Sequence, residues 1–207
     1  FLPQFPANSI LIFGEGYGRA KILENTGTKM VVEFLEDFTV KHRMHLHTSI
    51  HLKTAAITEK DWADLHYLLD KPIDLIALSF VQERSTLDEV RSFLTKEGKL
   101  VPIVSKIETQ AALDNLDELA QASDWLMVAR GDLALEAELI DLPKNQAKII
   151  AAGQKAGKPV IVATQMLYSM VHNPMPSRAE INDIFHAVRG GANGLMLSDE
   201  TTVGKFP

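Results

Sequence analysis

Two carboxylates and a lysine stand out for where they fall. Lys106 and Glu108 close one short apolar run, Val101–Ser105 (VPIVS), and Asp132 follows the next, Trp125–Ala129 (WLMVA), within Arg130-Gly131-Asp132. If the two runs are neighbouring parallel strands, Glu108 and Asp132 come close enough to share a divalent cation. Cys is absent and carboxylates near the site are few, so the expected ion is a hard one, Mg²⁺ or Mn²⁺, completed by water and substrate oxygens. Lys106 lies two residues before Glu108, so an extended strand points both side chains to one face. A lysine there can stabilise an enolate or a phosphoryl group in transfer. The same residues allow a purely structural pairing, Lys106 with Asp132 or Arg130 with Glu108, and spacing alone leaves that alternative open.

What must position these residues is a row of short apolar runs: Asp74–Val81, Val101–Ser105, Trp125–Ala129, Pro159–Ala163 and Gly194–Ser198. Each is too short for a helix and shows little alternation, as strands buried on both faces do. Polar residues collect at the C-terminal end of each run: Ser79; Lys106 and Glu108; Arg130, Gly131 and Asp132; Thr164 and Gln165; Ser198, Asp199, Glu200 and Thr201. Helical patterns lie between the runs. Thr58 with Asp61, Thr86 with Glu89 and Ser177 with Glu180 read as helix-opening boxes. Asp141-Leu142-Pro143 reads as a start with Pro in the first turn, and Ala156-Gly157 as a helix end. Strand starts fall 27, 24, 34 and 35 residues apart, the length of a β–α repeat. The expected fold is α/β: an incomplete TIM (β/α) barrel, parallel throughout with right-handed crossovers, its polar residues on the C-terminal, catalytic face. Five strands are expected where a closed barrel has eight. The edges near Asp74 and Gly194 therefore need cover from further residues, a partner chain or collapse.

The opening residues differ. Ser9–Phe13, Gly18–Leu23 and Lys29–Leu35 are short β-type runs separated by Gly14, Gly16 and Gly18 and by Glu24-Asn25-Thr26-Gly27. They predict a small antiparallel meander. The glycines read as a turn, because a phosphate-binding loop needs a helix directly after it. Residues 1–54 are thus expected to form a small β segment and residues 55–207 the five β/α units. His42, His45, His47 and His51 are read as a solvated segment rather than a metal cluster, having no carboxylate among them. Trp62, Trp125, Met166 and Met170 are read as packing residues.

Composition narrows the function. The 207 residues carry a formal net charge of −6 and a pI near 5.6, a poor match for nucleic-acid binding. Without Cys there is no thiol nucleophile, iron–sulfur cluster or Cys-ligated zinc, and a cytoplasmic setting is expected. No apolar run reaches membrane-spanning length and no basic-then-apolar leader opens the chain. It starts at Phe1 and stops at Pro207, and both ends are expected to be cuts.

Six blocks in order carry a family resemblance. They are Ser105-Lys106-Ile107-Glu108; Val128-Ala129-Arg130-Gly131-Asp132-Leu133; Gly157-Lys158-Pro159-Val160; Ala163-Thr164-Gln165-Met166-Leu167 with Ser169-Met170; Pro176-Ser177-Arg178-Ala179-Glu180; and Met196-Leu197-Ser198-Asp199-Glu200-Thr201. Residues 55–207 resemble pyruvate kinase in order and spacing, and residues 1–54 weakly resemble the second half of its mobile lid domain.

The resemblance implies phosphoryl transfer between phosphoenolpyruvate and ADP, giving pyruvate and ATP, in glycolysis. It implies Glu108 and Asp132 as ligands of Mg²⁺ (or Mn²⁺), and Lys106 as the group stabilising the enolate and the phosphoryl in flight. The backbone of Gly131 and Asp132, with Thr164, would hold the substrate carboxylate, and Thr164 would lie near the proton path to the enolate. A homo-oligomer, or association with absent segments, is expected; nucleic acid and membrane are not.

The departures are specific. Ala134 and Asp199 stand where the family's RGDLG and LSGET blocks have Gly. Ala134 matters little unless it needs positive φ, and Asp199 adds a carboxylate on the site face. In the Val40–His47 stretch a nucleotide-contacting lysine is only loosely matched, by Lys41 or His42. The blocks resembling NFSHG and DTKGPEIR, which supply a phosphate-binding Arg, the K⁺ ligands and part of the nucleotide site, are not in this sequence. Neither are the last barrel helix and the C-terminal allosteric domain. Two alternatives are weighed. One is a metal-dependent lyase or decarboxylase acting on a pyruvate-like keto acid. The other is an inactive truncated relative.

Overall fold

Glycine turns and alternating burial shape the first part of the chain, continuous apolar strands the second. A computed structural model describes residues 2–14, 16, 18–42, 44, 46–48 and 56–207. The chain divides into two compact units, Phe1–Ala55 and Ala56–Pro207.

In the first unit, β1 (Ile10–Phe13), β2 (Gly18–Asn25), β3 (Met30–Phe34) and β4 (Leu46–Thr48) form one antiparallel sheet, in the order β3-β2-β1-β4. Alternate residues of β2, Gly18, Ala20 and Ile22, are buried, and Phe5, Leu11 and Ile22 make the small core. Gly27, at φ 83°, lets the chain turn into β3 while its N–H donates to Asn25 Oδ1 at 2.8 Å. The expected three-stranded meander is present, and β4 is a fourth strand the sequence did not announce. Leu-His-Thr shows no apolar alternation, and its identity comes from pairing with β1. That pairing corrects the solvated reading for His47, which is buried, while His42 is exposed as expected. His45 and His51 lie outside the described residues.

In the second unit, α1 (Glu59–Leu68) leads to β5 (Ile76–Leu78), α2 (Arg84–Lys96) to β6 (Ile103–Ile107), and α3 (Gln110–Asp114) with α4 (Leu116–Ala122) to β7 (Trp125–Ala129). Next come α5 (Arg130–Glu136), α6 (Leu142–Ala156), β8 (Val160–Ala163), α7 (Arg178–Arg189), β9 (Gly194–Met196) and α8 (Asp199–Thr202). The five strands pair in sequence order and all in parallel. The sheet is open, an incomplete (β/α) barrel.

Its two faces are unlike. Ile103, Ile107, Leu126, Val128, Val160 and Val162 pack with helix residues such as Leu87, Val90, Leu119 and Ile149 in the main core. Val104, Met127 and Ala163 form a smaller cluster with partly buried Trp125 and Ile161. Trp62 packs on the main core and against Phe93, ring centroids 5.1 Å apart.

Local chemistry sets some helix ends. Thr58 with Asp61 and Ser177 with Glu180 form complete capping boxes, and Gly157 closes α6 in the left-handed region at φ 68°. One expected start is wrong. Thr86 does not cap α2, which begins at Arg84 after an extended Glu83 without a side-chain cap. Thr86 is buried in the first turn beside Leu87 and Val90, so burial of that face placed the helix earlier than its box.

Candidate active site

Strand alternation decides which side chains meet. On β6, Ser105 bonds Ser123 Oγ at 2.6 Å on the helix-covered side, so Lys106 projects from the opposite face. The Lys106 ammonium donates to Ser79 Oγ at 2.8 Å and lies 2.6 Å from Glu108 Oε1. Glu108, directly after β6, is fully buried at 0% exposure. Its Oε2 accepts the Phe80 N–H at 2.6 Å. Its buried Oε1 is ion-paired with the Lys106 ammonium and accepts no further hydrogen bond. Phe80 itself takes a left-handed φ of 54°, a conformation a bulky residue adopts rarely and mostly at functional sites.

Burial pushes the Glu108 carboxyl above its ordinary pKa, and the negative charge of Asp132 adds to that push. The Lys106 ammonium and the Phe80 N–H oppose it without prevailing. Asp132 is therefore near enough to Glu108 for its charge to be felt there. It stands in the first turn of α5, which starts at Arg130 with no loop after β7. The carboxylates thus come from a strand end and a helix turn.

Gly131 and Thr164 meet from adjacent strand ends. A Cβ on Gly131 would come within 3.1 Å of Thr164 Cγ2. Thr164 and Gln165 hold φ values of 74° and 54°. Neither structural pairing named from the sequence explains the arginine: Arg130 pairs with Asp183 at 2.5 Å, and the ion pair seen for Lys106 is with Glu108. Sequence reasoning missed Asp183, which lies far along the chain inside α7. It also gave no role to Glu200. That buried carboxylate accepts the Leu167 N–H at 2.9 Å and the Ser198 N–H at 3.0 Å, tying together the segments after β8 and β9. Ala134 lies inside α5 and is not among the positive-φ residues, so its methyl group is tolerated. Asp199 is exposed.

The arrangement fits a hard cation. A buried carboxylate stands beside an ammonium group, and the charge of a second carboxylate reaches it. Among the described residues no group of three or more His, Cys, Asp or Glu is gathered, so such an ion would take the rest of its shell from water and substrate.

The model of the pyruvate kinase barrel domain matches residues 6–207. The chain belongs to the pyruvate kinase family. The pyruvate kinase of Borreliella burgdorferi is 38% identical over 209 residues, covering 100% of this chain and 44% of that protein. Pyruvate kinase 2 of a Synechocystis strain is 44% identical over 156 residues, covering 75% of this chain and 26% of that protein. A solved pyruvate kinase from Cryptosporidium parvum superposes with a TM-score of 0.86 at 32% identity, covering 100% of this chain and 44% of that one. This pyruvate kinase barrel segment therefore spans less than half the length of these relatives. No described helix is long and apolar enough to cross a membrane.

Proposed function

We propose that this chain carries the enolate- and metal-handling half of a pyruvate kinase site, acting in phosphoryl transfer between phosphoenolpyruvate and ADP. One observation carries the reading: the buried Glu108 carboxylate, its Oε1 paired with the Lys106 ammonium, within reach of the charge of Asp132.

Glu108 and Asp132 would hold Mg²⁺ or Mn²⁺, which when bound neutralises charge on the substrate oxygens. In the forward direction the P–O bond of phosphoenolpyruvate breaks, a P–O bond to the terminal phosphate of ADP forms, and the enolate left behind takes a proton at carbon. Lys106 meets the charge that develops in both products of that cleavage. Its ammonium is pre-oriented by Ser79, so little reorganisation is needed as the charge appears. Thr164 and the backbone of Gly131 and Asp132 would take the substrate carboxylate and fix the enol plane. Asp199 is exposed, and its negative charge would weaken anion binding slightly. The blocks that supply the family's K⁺ ligands are not among these residues, so no residue here is assigned to K⁺.

A coupled assay for pyruvate, run with and without ADP, tests the reading. ADP-dependent release supports it. ADP-independent cleavage of a keto acid would instead identify a lyase. A folded chain that is silent in both assays has lost turnover while keeping the fold.

A further inference from the structure

Thr164 and Gln165 sit consecutively in the left-handed backbone region. That region is rare for a β-branched residue, and such strain persists only where the surroundings over-determine it. At Thr164 the determining group is Arg130. Its side chain is almost fully buried, at 9% exposure. Nε donates to the carbonyl oxygens of Ala163 and Thr164, each at 3.1 Å, and Nη2 donates to the Thr164 carbonyl at 2.5 Å. Nη2 also lies 2.9 Å from Met166 Sδ. Nη1 donates to Asp183 Oδ2 on α7 at 2.5 Å. The next residue, Gly131, faces the Thr164 side chain closely enough that a Cβ there would come within 3.1 Å of Cγ2. Arg130 thus holds Thr164 by its carbonyl, and the absence of a side chain at Gly131 leaves room for its methyl.

We propose that Arg130 is a positioning residue: it locks the Thr164 backbone in the left-handed conformation and so sets the direction of the Thr164 hydroxyl, with Asp183 as its anchor. The inference rests on the reading that Thr164 and the Gly131–Asp132 backbone take a substrate carboxylate. Lysine cannot replace the arginine, because one ammonium cannot pair with Asp183 and also fork across two carbonyls.

The test uses the 207-residue chain with Arg130→Met and Arg130→Lys. The probe is oxalate, a planar dicarboxylate about the size of enolpyruvate, titrated in the presence of Mn²⁺. NMR reports the three-bond HN–Hα coupling and the Cα and Cβ shifts of Thr164. In both variants oxalate affinity is expected to fall by roughly 10- to 100-fold, the scale of a small misplacement of a binding group. Affinity for Mn²⁺ alone should stay within about twofold. The Thr164 signals should leave their left-handed values. Arg130→Lys keeps the charge opposite Asp183, so a purely structural arginine predicts near-normal oxalate binding in that variant. It therefore decides the matter even if Arg130→Met does not fold. A folded Arg130→Lys protein with unchanged Thr164 signals and unchanged oxalate affinity overturns the proposal. A wild-type chain that binds no oxalate, with Thr164 signals that still move in the variants, refutes the carboxylate reading and upholds the positioning role.

Discussion

The two faces of the five-stranded sheet are built from the same strands and do opposite work. On the helix-covered face, Ile103, Ile107, Leu126, Val128, Val160 and Val162 are all sealed from solvent. On the other, Val104, Met127 and Ala163 are buried, Trp125 and Ile161 are partly open, and Met196 is 39% exposed. Lys106 and Glu108 extend this second face. The first face stabilises the unit by burying apolar area, about 25 cal/mol per Å². The second gives up some of that burial to hold a charged pair, a raised carboxyl and left-handed backbone at Phe80, Thr164 and Gln165. Consecutive residues of β6 sort between the two faces: Ser105 and Ile107 pack under the helices, and Lys106 pairs with Glu108 on the other side.

That division can be broken in order of effect. Leu126→Ala should cost about 2–5 kcal/mol, the usual range for a fully buried Leu, read from urea unfolding. Mn²⁺ affinity per folded molecule should not change, and a lost metal site in the folded variant would mean the faces are coupled.

Lys106→Met should lower the urea midpoint, because it leaves the buried Glu108 without its counter-ion. Turnover of phosphoenolpyruvate, where measurable, should fall by roughly 10²–10³-fold, mainly in kcat. A strongly destabilised variant with normal turnover per folded molecule would make Lys106 a structural cation.

Glu108 also gives a pH signature. Its folded pKa lies above its unfolded value, so the native state binds more protons between the two. Metal-free stability should therefore fall as pH rises from the ordinary carboxylate range through the raised value. The loss is about 1.4 kcal/mol for each unit separating the two values. Glu108→Gln should flatten that limb and be more stable than wild type above it. Identical pH profiles for the two proteins would show that burial does not perturb this carboxyl.

The smallest effect belongs to the frame. Ser177→Ala removes a helix cap and should cost about 1 kcal/mol, seen as a modest drop in Tm. Glu180 behaves oppositely to Glu108. Burial pushes its pKa up, but hydrogen bonds from Ser169 and Ser177 outweigh that and hold it low. Its contribution is therefore present above the unfolded carboxylate value and lost as pH falls through the folded one.

The fold was largely legible because two-faced burial leaves continuous apolar runs. β6 and β7 could be read from Val101–Ser105 and Trp125–Ala129, although β6 runs on to Ile107. Lys106, Glu108 and Asp132 could be picked out by their place at strand ends. Strand β4 was not legible, since Leu46-His47-Thr48 becomes a strand only by pairing with β1. The Thr86 box misled because a local capping pattern is weaker than burial of the helix face that contains it. Arg130's grip on Thr164 and its bond to Asp183 span 34 and 53 residues, and no local pattern encodes such contacts.

The central claim is that Glu108 and Asp132 together make a hard-cation site. Isothermal titration of Mn²⁺ into the 207-residue chain, with Glu108→Ala and Asp132→Ala alongside, tests it most directly. The account predicts binding by the wild type, tighter as pH rises and Glu108 deprotonates, and no measurable binding by either folded variant. Wild-type affinity retained in Glu108→Ala would contradict it.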